Sequence, residues 1–247
     1  MKKPLVIGHR GAAAYAPENT MASFQKALTL GAGGIEIDVQ MTKDGRLVIC
    51  HDETVDRTTD GSGAIQALTL KEIQMLDAGS WFSENFRGEK IPVLEELLDF
   101  LRGRDILLNI ELKNGIVLYR GLEEKVLEAL RIYHMEHYTI LSSFNHYSLL
   151  RLKELNPRIK TGVLYVAGLV EPWEYARRIG ADALHPIYYS VLPEIVTGAQ
   201  VHQMPIYTYT VNEMKDLERI FSLGVAGIIT DYPDLGKIAA DKVFRKD

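Results

Sequence analysis

Short apolar runs and longer amphipathic stretches alternate along this chain about eight times, and that rhythm limits the folds open to it. Strand-like segments fall at 5–9, 34–42, 106–112, 139–143, 160–165, 183–186, 205–211 and 227–230. Helix-like segments follow them at 19–30, 94–101, 118–134, 146–155, 172–179, 192–203, 213–223 and 233–243. Helices placed between strands act as crossovers, and crossovers join parallel strands. Eight such units in 247 residues suit one closed α/β barrel, the (β/α)8 TIM barrel, which uses roughly 250 residues. An open doubly wound sheet would carry an early G-x-G-x-x-G turn, and this chain has none. We therefore expect a single TIM-barrel catalytic domain over residues 1–247.

One segment breaks the rhythm. Residues 53–91 are too long for a simple connection and are rich in Gly, Thr, Asp and Ser, as in Thr58-Thr59-Asp60-Gly61-Ser62-Gly63. We read them as a small inserted subdomain after the second strand, with a short helix at 70–76. The segment leaves directly after His51, which sets it on the catalytic end. A net charge of −5 offers no general electrostatic hold on nucleic acid or on an anionic membrane. The single cysteine, Cys50, has no internal disulfide partner. Met1-Lys2-Lys3 resembles the start of a signal peptide, but only Leu5-Val6-Ile7 follows where about 7–15 apolar residues are needed. No stretch approaches the roughly 18 apolar residues of a membrane span. The expectation is a soluble, cytoplasmic protein without stable membrane insertion or a nucleic-acid partner, either monomer or homodimer.

The chemistry-bearing residues gather at strand ends. His9 and Arg10 close the first strand inside the turn Gly8-His9-Arg10-Gly11. An imidazole moves protons near neutral pH, and a guanidinium grips a phosphate with a planar fork of donors. On the next strand, Glu36 and Asp38 share one face while Ile35 and Ile37 share the other. In a barrel the apolar face meets the helices, so the carboxylates point inward. Glu111-Leu112-Lys113 repeats the arrangement on a later strand. Three carboxylates in one cavity repel each other, and a divalent cation relieves that repulsion. An all-oxygen set favours Mg²⁺ or Ca²⁺, with Mn²⁺ as a third candidate.

His51 is placed by counting along a hairpin. Asp44-Gly45 marks the turn; with a two-residue loop, Lys43 pairs with Arg46 and Asp38 lies opposite His51. Directly opposed residues share a face, so His51 is expected beside the metal site and Cys50 on the other face, as packing. His9 and His51 then flank one cavity as an acid–base pair. Arg10 and Lys113 add positive charge that suits a phosphate. Phe144 ends a strand, as pocket lining or core. Tyr207 and Tyr209 alternate onto one strand face, again as pocket lining or core. The histidines at 134, 137, 146, 185 and 202 lack comparable context, except that His185 borders the pocket.

Taken in order, His9-Arg10-Gly11, Pro17-Glu18-Asn19-Thr20, Glu36-Ile37-Asp38-Val39, Asp44-Gly45, His51-Asp52, Glu111-Leu112-Lys113, Ser143-Phe144 and Thr230-Asp231-Tyr232-Pro233 resemble the glycerophosphodiester phosphodiesterase family, in its bacterial, cytoplasmic type. That resemblance implies a barrel with a small insertion. It implies hydrolysis of glycerophosphodiesters, such as glycerophosphocholine or glycerophosphoethanolamine, to an alcohol and sn-glycerol 3-phosphate. The family's metal carboxylates fall on Glu36, Asp38 and Glu111. Its acid–base histidines fall on His9 and His51, and its phosphate contacts on Arg10 and Lys113. Phe144 and Tyr209 complete the substrate-binding set expected. Two departures bear on substrate range: Tyr209 stands where the family often has tryptophan in a W-T-V-N string, and Ala226 replaces a commonly acidic residue.

Two other readings remain open. A lipid phosphodiesterase of the lysophospholipase D type needs an apolar lip, for which Trp81, Phe82 and Phe86 of the insertion are candidates. A non-catalytic barrel that binds a phosphorylated ligand would lack a histidine or carboxylate, and none is missing here.

Overall fold

A computed structural model of the chain describes residues 4–244, so the reading of Met1-Lys2-Lys3 lies outside the described residues. The strands are β1 (Leu5–His9), β2 (Gly34–Met41), β3 (Leu47–Ile49), β4 (Leu107–Leu112), β5 (Thr139–Ser143), β6 (Lys160–Tyr165), β7 (Ala183–Pro186), β8 (Tyr207–Thr208) and β9 (Gly227–Thr230). The helices are α1 (Met21–Thr29), α2 (Leu70–Met75), α3 (Leu94–Leu101), α4 (Leu122–Tyr133), α5 (His146–Leu155), α6 (Pro172–Arg178), α7 (Pro193–Val201), α8 (Met214–Leu223) and α9 (Pro233–Phe244). Every strand but β3 runs parallel to its neighbours, in the order β7-β6-β5-β4-β2-β1-β9-β8. Single bridges Leu184–Ile206 and Ile187–Tyr209 join the two ends of that order, so the barrel is nearly closed. The TIM barrel expected from the alternation is thus the architecture found.

Residue spacing explains which way each face points. Val6, Ile35, Ile37, Val39, Ile110 and Leu112 belong to one apolar core with helix residues such as Phe24, Leu97 and Leu217. Helix α3 buries Leu94, Leu97, Leu98 and Leu101, a stripe at helical spacing. With alternate residues committed outward, Glu36 and Asp38 have only the barrel interior to occupy.

Three element boundaries differ from expectation for local reasons. Helix α1 starts at Met21 because Asn19 is left-handed, at φ +57°, and the Thr20 side chain caps the Ser23 N–H. Helix α4 starts at Leu122 and not near 118, because Gly121 takes φ +83° and the Tyr119 N–H is tied to the Asn114 side chain at 2.6 Å. Strand β8 keeps two residues of the expected seven, 205–211; at the start of that span Pro205 has no N–H to donate.

The hairpin is the main correction. Val39 pairs with Ile49, Gln40 with Val48 and Met41 with Leu47. The Thr42 N–H closes the turn on the Arg46 carbonyl at 2.9 Å, leaving a three-residue loop, Lys43-Asp44-Gly45. Gly45 at φ +75° supplies the left-handed position that such a loop needs. The register therefore slips by one, and Cys50, not His51, opposes Asp38; its N–H donates to the Asp38 carbonyl at 2.9 Å. Val48 and Cys50 pack with Val55, Ile65, Ile73, Ala78 and Ile91 in a small apolar core of their own. Cys50 does pack, but on the opposite face from the one expected, and burial pushes its thiol up to about 12. Phe82 stands edge-to-face with both Trp81 and Phe86, with centroids 5.7 Å apart in each of the two pairs, and Trp81 is exposed.

The turn after β1 is tight. The Gly11 N–H reaches back to the Gly8 carbonyl at 3.3 Å, and a Cβ on Gly8 would run into the Gly11 carbonyl oxygen and crowd Ala27. Gly8→Ala should lower unfolding stability by about 2 kcal/mol in a denaturant melt. An unchanged midpoint would mean that the turn has slack.

Candidate active site

Strand register brings the acidic residues together. Glu36 and Asp38 come from β2 and Glu111 from β4, where Asp38 and Glu111 are direct partners. One carboxylate oxygen from each lies within 4.8 Å of the others. Burial, then the neighbouring charges of Asp38 and Glu111, push the Glu36 carboxyl well above its ordinary range. Burial and Asp38 push Glu111 up to about 7. Asp38 stays low: burial opposes its charge, but Arg10, His51, Lys113 and a hydrogen bond from Asn19 Nδ2 at 3.0 Å outweigh it. Three hard oxygen donors that resist shared ionisation are a donor set fitted to a divalent cation.

Two cations border that cluster. Arg10 is left-handed, at φ +51°, which aims its backbone N–H at Glu36 Oε2, 3.0 Å away. Its guanidinium donates to Glu18 Oε1 at 2.7 Å and lies 3.3 Å from Asp38 Oδ2. Burial works against the Arg10 charge, but Asp38, Glu18 and Glu36 more than restore it. Lys113 Nζ donates to Glu111 Oε1 at 3.1 Å and sits 3.9 Å from Asp38 Oδ1.

Each histidine is held from behind by a carboxylate. His9 is the register partner of Glu36, with Nε2 4.0 Å from Glu36 Oε2. Its Nδ1 is 2.7 Å from Asp231 Oδ1, and Asn212 Nδ2 donates to Asp231 Oδ2 at 2.6 Å. His51 reaches the site after β3 has ended, close enough to feel Asp38, Arg10 and Lys113. Its Nδ1 is 2.7 Å from Asp52 Oδ1. A carboxylate on Nδ1 selects the tautomer that leaves Nε2 for chemistry. Burial, then the charges of Arg10 and Lys113, bring His51 below its ordinary value despite support from Asp38 and Asp52.

A cleft of about 250 Å³ opens beside Glu111 and Lys113, lined also by Glu53, Ile116 and Phe144. Phe144 stands edge-to-face with Tyr209 at 6.2 Å, and the Tyr209 hydroxyl donates to the Tyr165 carbonyl at 3.1 Å. His185 is fully buried beside Tyr207, with neither ring nitrogen hydrogen-bonded, and burial drives it down to about 3. A wider groove of about 360 Å³, lined by Val196, Met204 and Phe244, lies at the opposite strand ends and contains none of these groups.

Glu18, Asn19, Asp52, Arg57, Asn212 and Asp231 are site residues that reasoning from residue types passed over. Five of them lie inside the motif strings already noted, Pro17-Glu18-Asn19-Thr20, His51-Asp52, Tyr209-Thr210-Val211-Asn212 and Thr230-Asp231-Tyr232-Pro233. That position was the available signal.

Acidic, basic and imidazole groups at the carboxyl ends of barrel strands mark where proteins of this fold do their chemistry, and the chain is a TIM-barrel enzyme. Residues 9–235 match the model of the glycerophosphoryl diester phosphodiesterase family. A glycerophosphodiester phosphodiesterase of Caldanaerobacter subterraneus subsp. tengcongensis is 52% identical over 232 residues, 94% of this chain and 96% of that protein. A phosphodiesterase of Oleispira antarctica, solved in complex with the product sn-glycerol-3-phosphate, superposes with a TM-score of 0.87 at 32% identity, covering 96% of this chain and 97% of that one. A Silicibacter pomeroyi structure described as a putative glycerophosphoryl diester phosphodiesterase gives a TM-score of 0.90 at 28% identity, with coverage of 98% and 95%. The chain belongs to the glycerophosphoryl diester phosphodiesterase family.

The buried carboxylates make a prediction about stability. A carboxyl raised on folding from 4.5 to about 7, as Glu111 is, weakens the fold as pH climbs between those values. With divalent ions stripped, Glu111→Gln should be about 1 kcal/mol more stable than the parent near pH 8. The gain should vanish near pH 4, where the parent carboxyl is protonated. Thermal melts at both pH values check this, and a less stable variant at pH 8 contradicts it.

Proposed function

We propose that this enzyme hydrolyses glycerophosphodiesters, such as glycerophosphocholine or glycerophosphoethanolamine, to an alcohol and sn-glycerol 3-phosphate. One observation carries the reading: three carboxylates, two cations and two carboxylate-backed histidines gather at the carboxyl ends of the barrel strands in a chain of this family. Residues 1–247 act as one catalytic barrel, with 53–91 as a subdomain at its catalytic face.

Arg10 and Lys113 receive the phosphate oxygens. Glu36, Asp38 and Glu111 would hold one divalent cation, Mg²⁺, Ca²⁺ or Mn²⁺, which when bound supplies Lewis acidity that lowers a hydroxyl pKa and steadies phosphate charge. His9 accepts the proton of the attacking hydroxyl, and His51 gives one to the departing alcohol. Their backing differs in a way that suits this division. Asp231 accepts from the neutral Asn212 and holds His9 at Nδ1, which leaves Nε2 facing the acidic cluster. Asp52 is paired with Arg57, so it orients His51 while adding less to that ring's grip on its proton. His51 is biased toward its neutral form, and the bound diester anion offsets Arg10 and Lys113 to let it carry the proton it donates. With the glycerol 2-hydroxyl as nucleophile, the product is a cyclic phosphate that water opens with the two roles reversed. Direct attack by water uses the same pair.

A second reading has an observation of its own. Ile116 and Leu118, in the loop after β4, are 81% and 74% exposed, and Ile116 lines the cleft with Phe144. An acyl chain would find apolar contact there, which favours lysophospholipids as further substrates. No helix among the described residues is long and apolar enough to cross a membrane.

A panel of glycerophosphodiesters and lysophosphatidylcholine, assayed with EDTA and with each cation restored, tests both readings. We expect cation-dependent release of sn-glycerol 3-phosphate, and a loss in kcat of at least about a hundredfold in His51→Ala. No release from any diester overturns the proposal. Release from glycerophosphocholine without turnover of lysophosphatidylcholine removes the second reading alone.

A further inference from the structure

Arg57, from the insertion, makes four hydrogen bonds that none of the roles above requires. Its Nε donates to Asp52 Oδ2 at 2.7 Å and its Nη2 to Asp52 Oδ1 at 3.0 Å. On its other edge, Nη1 donates to Glu18 Oε2 and Nη2 to Glu18 Oε1, both at 2.8 Å. Asp52 holds Nδ1 of His51, and Glu18 holds the guanidinium of Arg10. A chain of alternating charge therefore runs from His51 through Asp52, Arg57 and Glu18 to Arg10. Arg57 is the link at which the insertion meets the turn after β1.

Stability alone is a poor explanation for this link. The Arg57 side chain is 44% exposed, and a single exposed ion pair adds little to folding, so any stability it lends comes from the bidentate network and is read separately from rate. What four bonds from one planar group do supply is geometry. An Asp52 carboxylate free to turn would no longer fix the His51 ring, whereas one gripped at both oxygens cannot turn. A lysine in place of Arg57 is a point charge with no fork, so it holds one carboxylate at a time.

We propose that Arg57 is a positioning residue for the proton delivered by His51. It acts through Asp52 and needs Glu18 as its anchor. The inference rests on the reading of His51 as the acid that protonates the departing alcohol. It has a signature that a merely structural tether lacks. An alcohol such as choline leaves poorly without a proton, whereas p-nitrophenolate leaves without one. Damage to proton delivery therefore falls on the first ester and spares the second.

The experiment compares kcat for glycerophosphocholine and for the p-nitrophenyl ester of sn-glycerol 3-phosphate, in the parent, Arg57→Ala and Arg57→Lys, with cation present. Arg57→Ala should lose about ten- to a hundredfold on the choline ester, the scale of a misplaced catalytic group, and less than about threefold on the nitrophenyl ester. Arg57→Lys should fall between parent and alanine variant on the choline ester. Guanidinium ion added to Arg57→Ala should recover part of that loss. Equal losses on both esters, or an unchanged rate on the choline ester, overturn the proposal. If Arg57→Ala fails to fold, Arg57→Lys carries the same comparison between esters. A parent inactive on both esters would overturn the hydrolase reading itself, an outcome distinct from a parent active on both with no split in the variants.

Discussion

Three carboxylates on two adjacent strands share one buried space, and the rest of the site is arranged around their mutual repulsion. Asp38 keeps its charge because Arg10, Lys113 and the Asn19 amide all turn toward it. Burial, then the charge of neighbouring carboxylates, raises Glu36 and Glu111 despite the nearby cations. A buried group of like charges in this state is poised for a cation. Lys113, one of the groups that hold Asp38 ionised, also lines the cleft beside Glu111.

The fold delivers this cluster through parallel register. Asp38 pairs with Glu111, Glu36 with both His9 and Asn109, and Gly8 with Thr230, which brings Asp231 behind His9. A barrel of short strands brings residues far apart in sequence to one end; His9 and Asp231 are separated by 222 positions. The turn around Gly8 and Gly11 then aims the Arg10 amide at Glu36. The insertion completes the arrangement from the far side, where its arginine reaches Glu18.

Much of this was legible in the sequence. The alternation of apolar and amphipathic segments placed eight strand–helix units, and E-x-D and E-x-K within apolar strands pointed Glu36, Asp38 and Glu111 inward. Those patterns are local, so a reader of one segment can see them. Harder to read was anything decided by the backbone conformation of a single residue. Gly45 in the left-handed region turned a two-residue loop into a three-residue one and moved Cys50, in place of His51, opposite Asp38. Gly121 shortened α4 in the same manner. Harder still were the residues behind the histidines. Asp231, Asn212 and Arg57 have no periodic pattern to betray them, and their roles exist only once distant loops are brought together. His185 illustrates the converse: a histidine near the pocket in sequence terms is a buried, unpartnered ring in space.

Burial and mutual repulsion favour protons on this acidic cluster, and we propose that a divalent cation displaces them. Calorimetric titration of the protein with Ca²⁺ or Mg²⁺ near pH 7, in two buffers of different ionisation enthalpy, counts those protons directly. The account predicts saturable binding of about one ion with release of about one proton, since carboxylates must ionise to ligate. Binding with no proton released, or no binding to the folded protein, would contradict it.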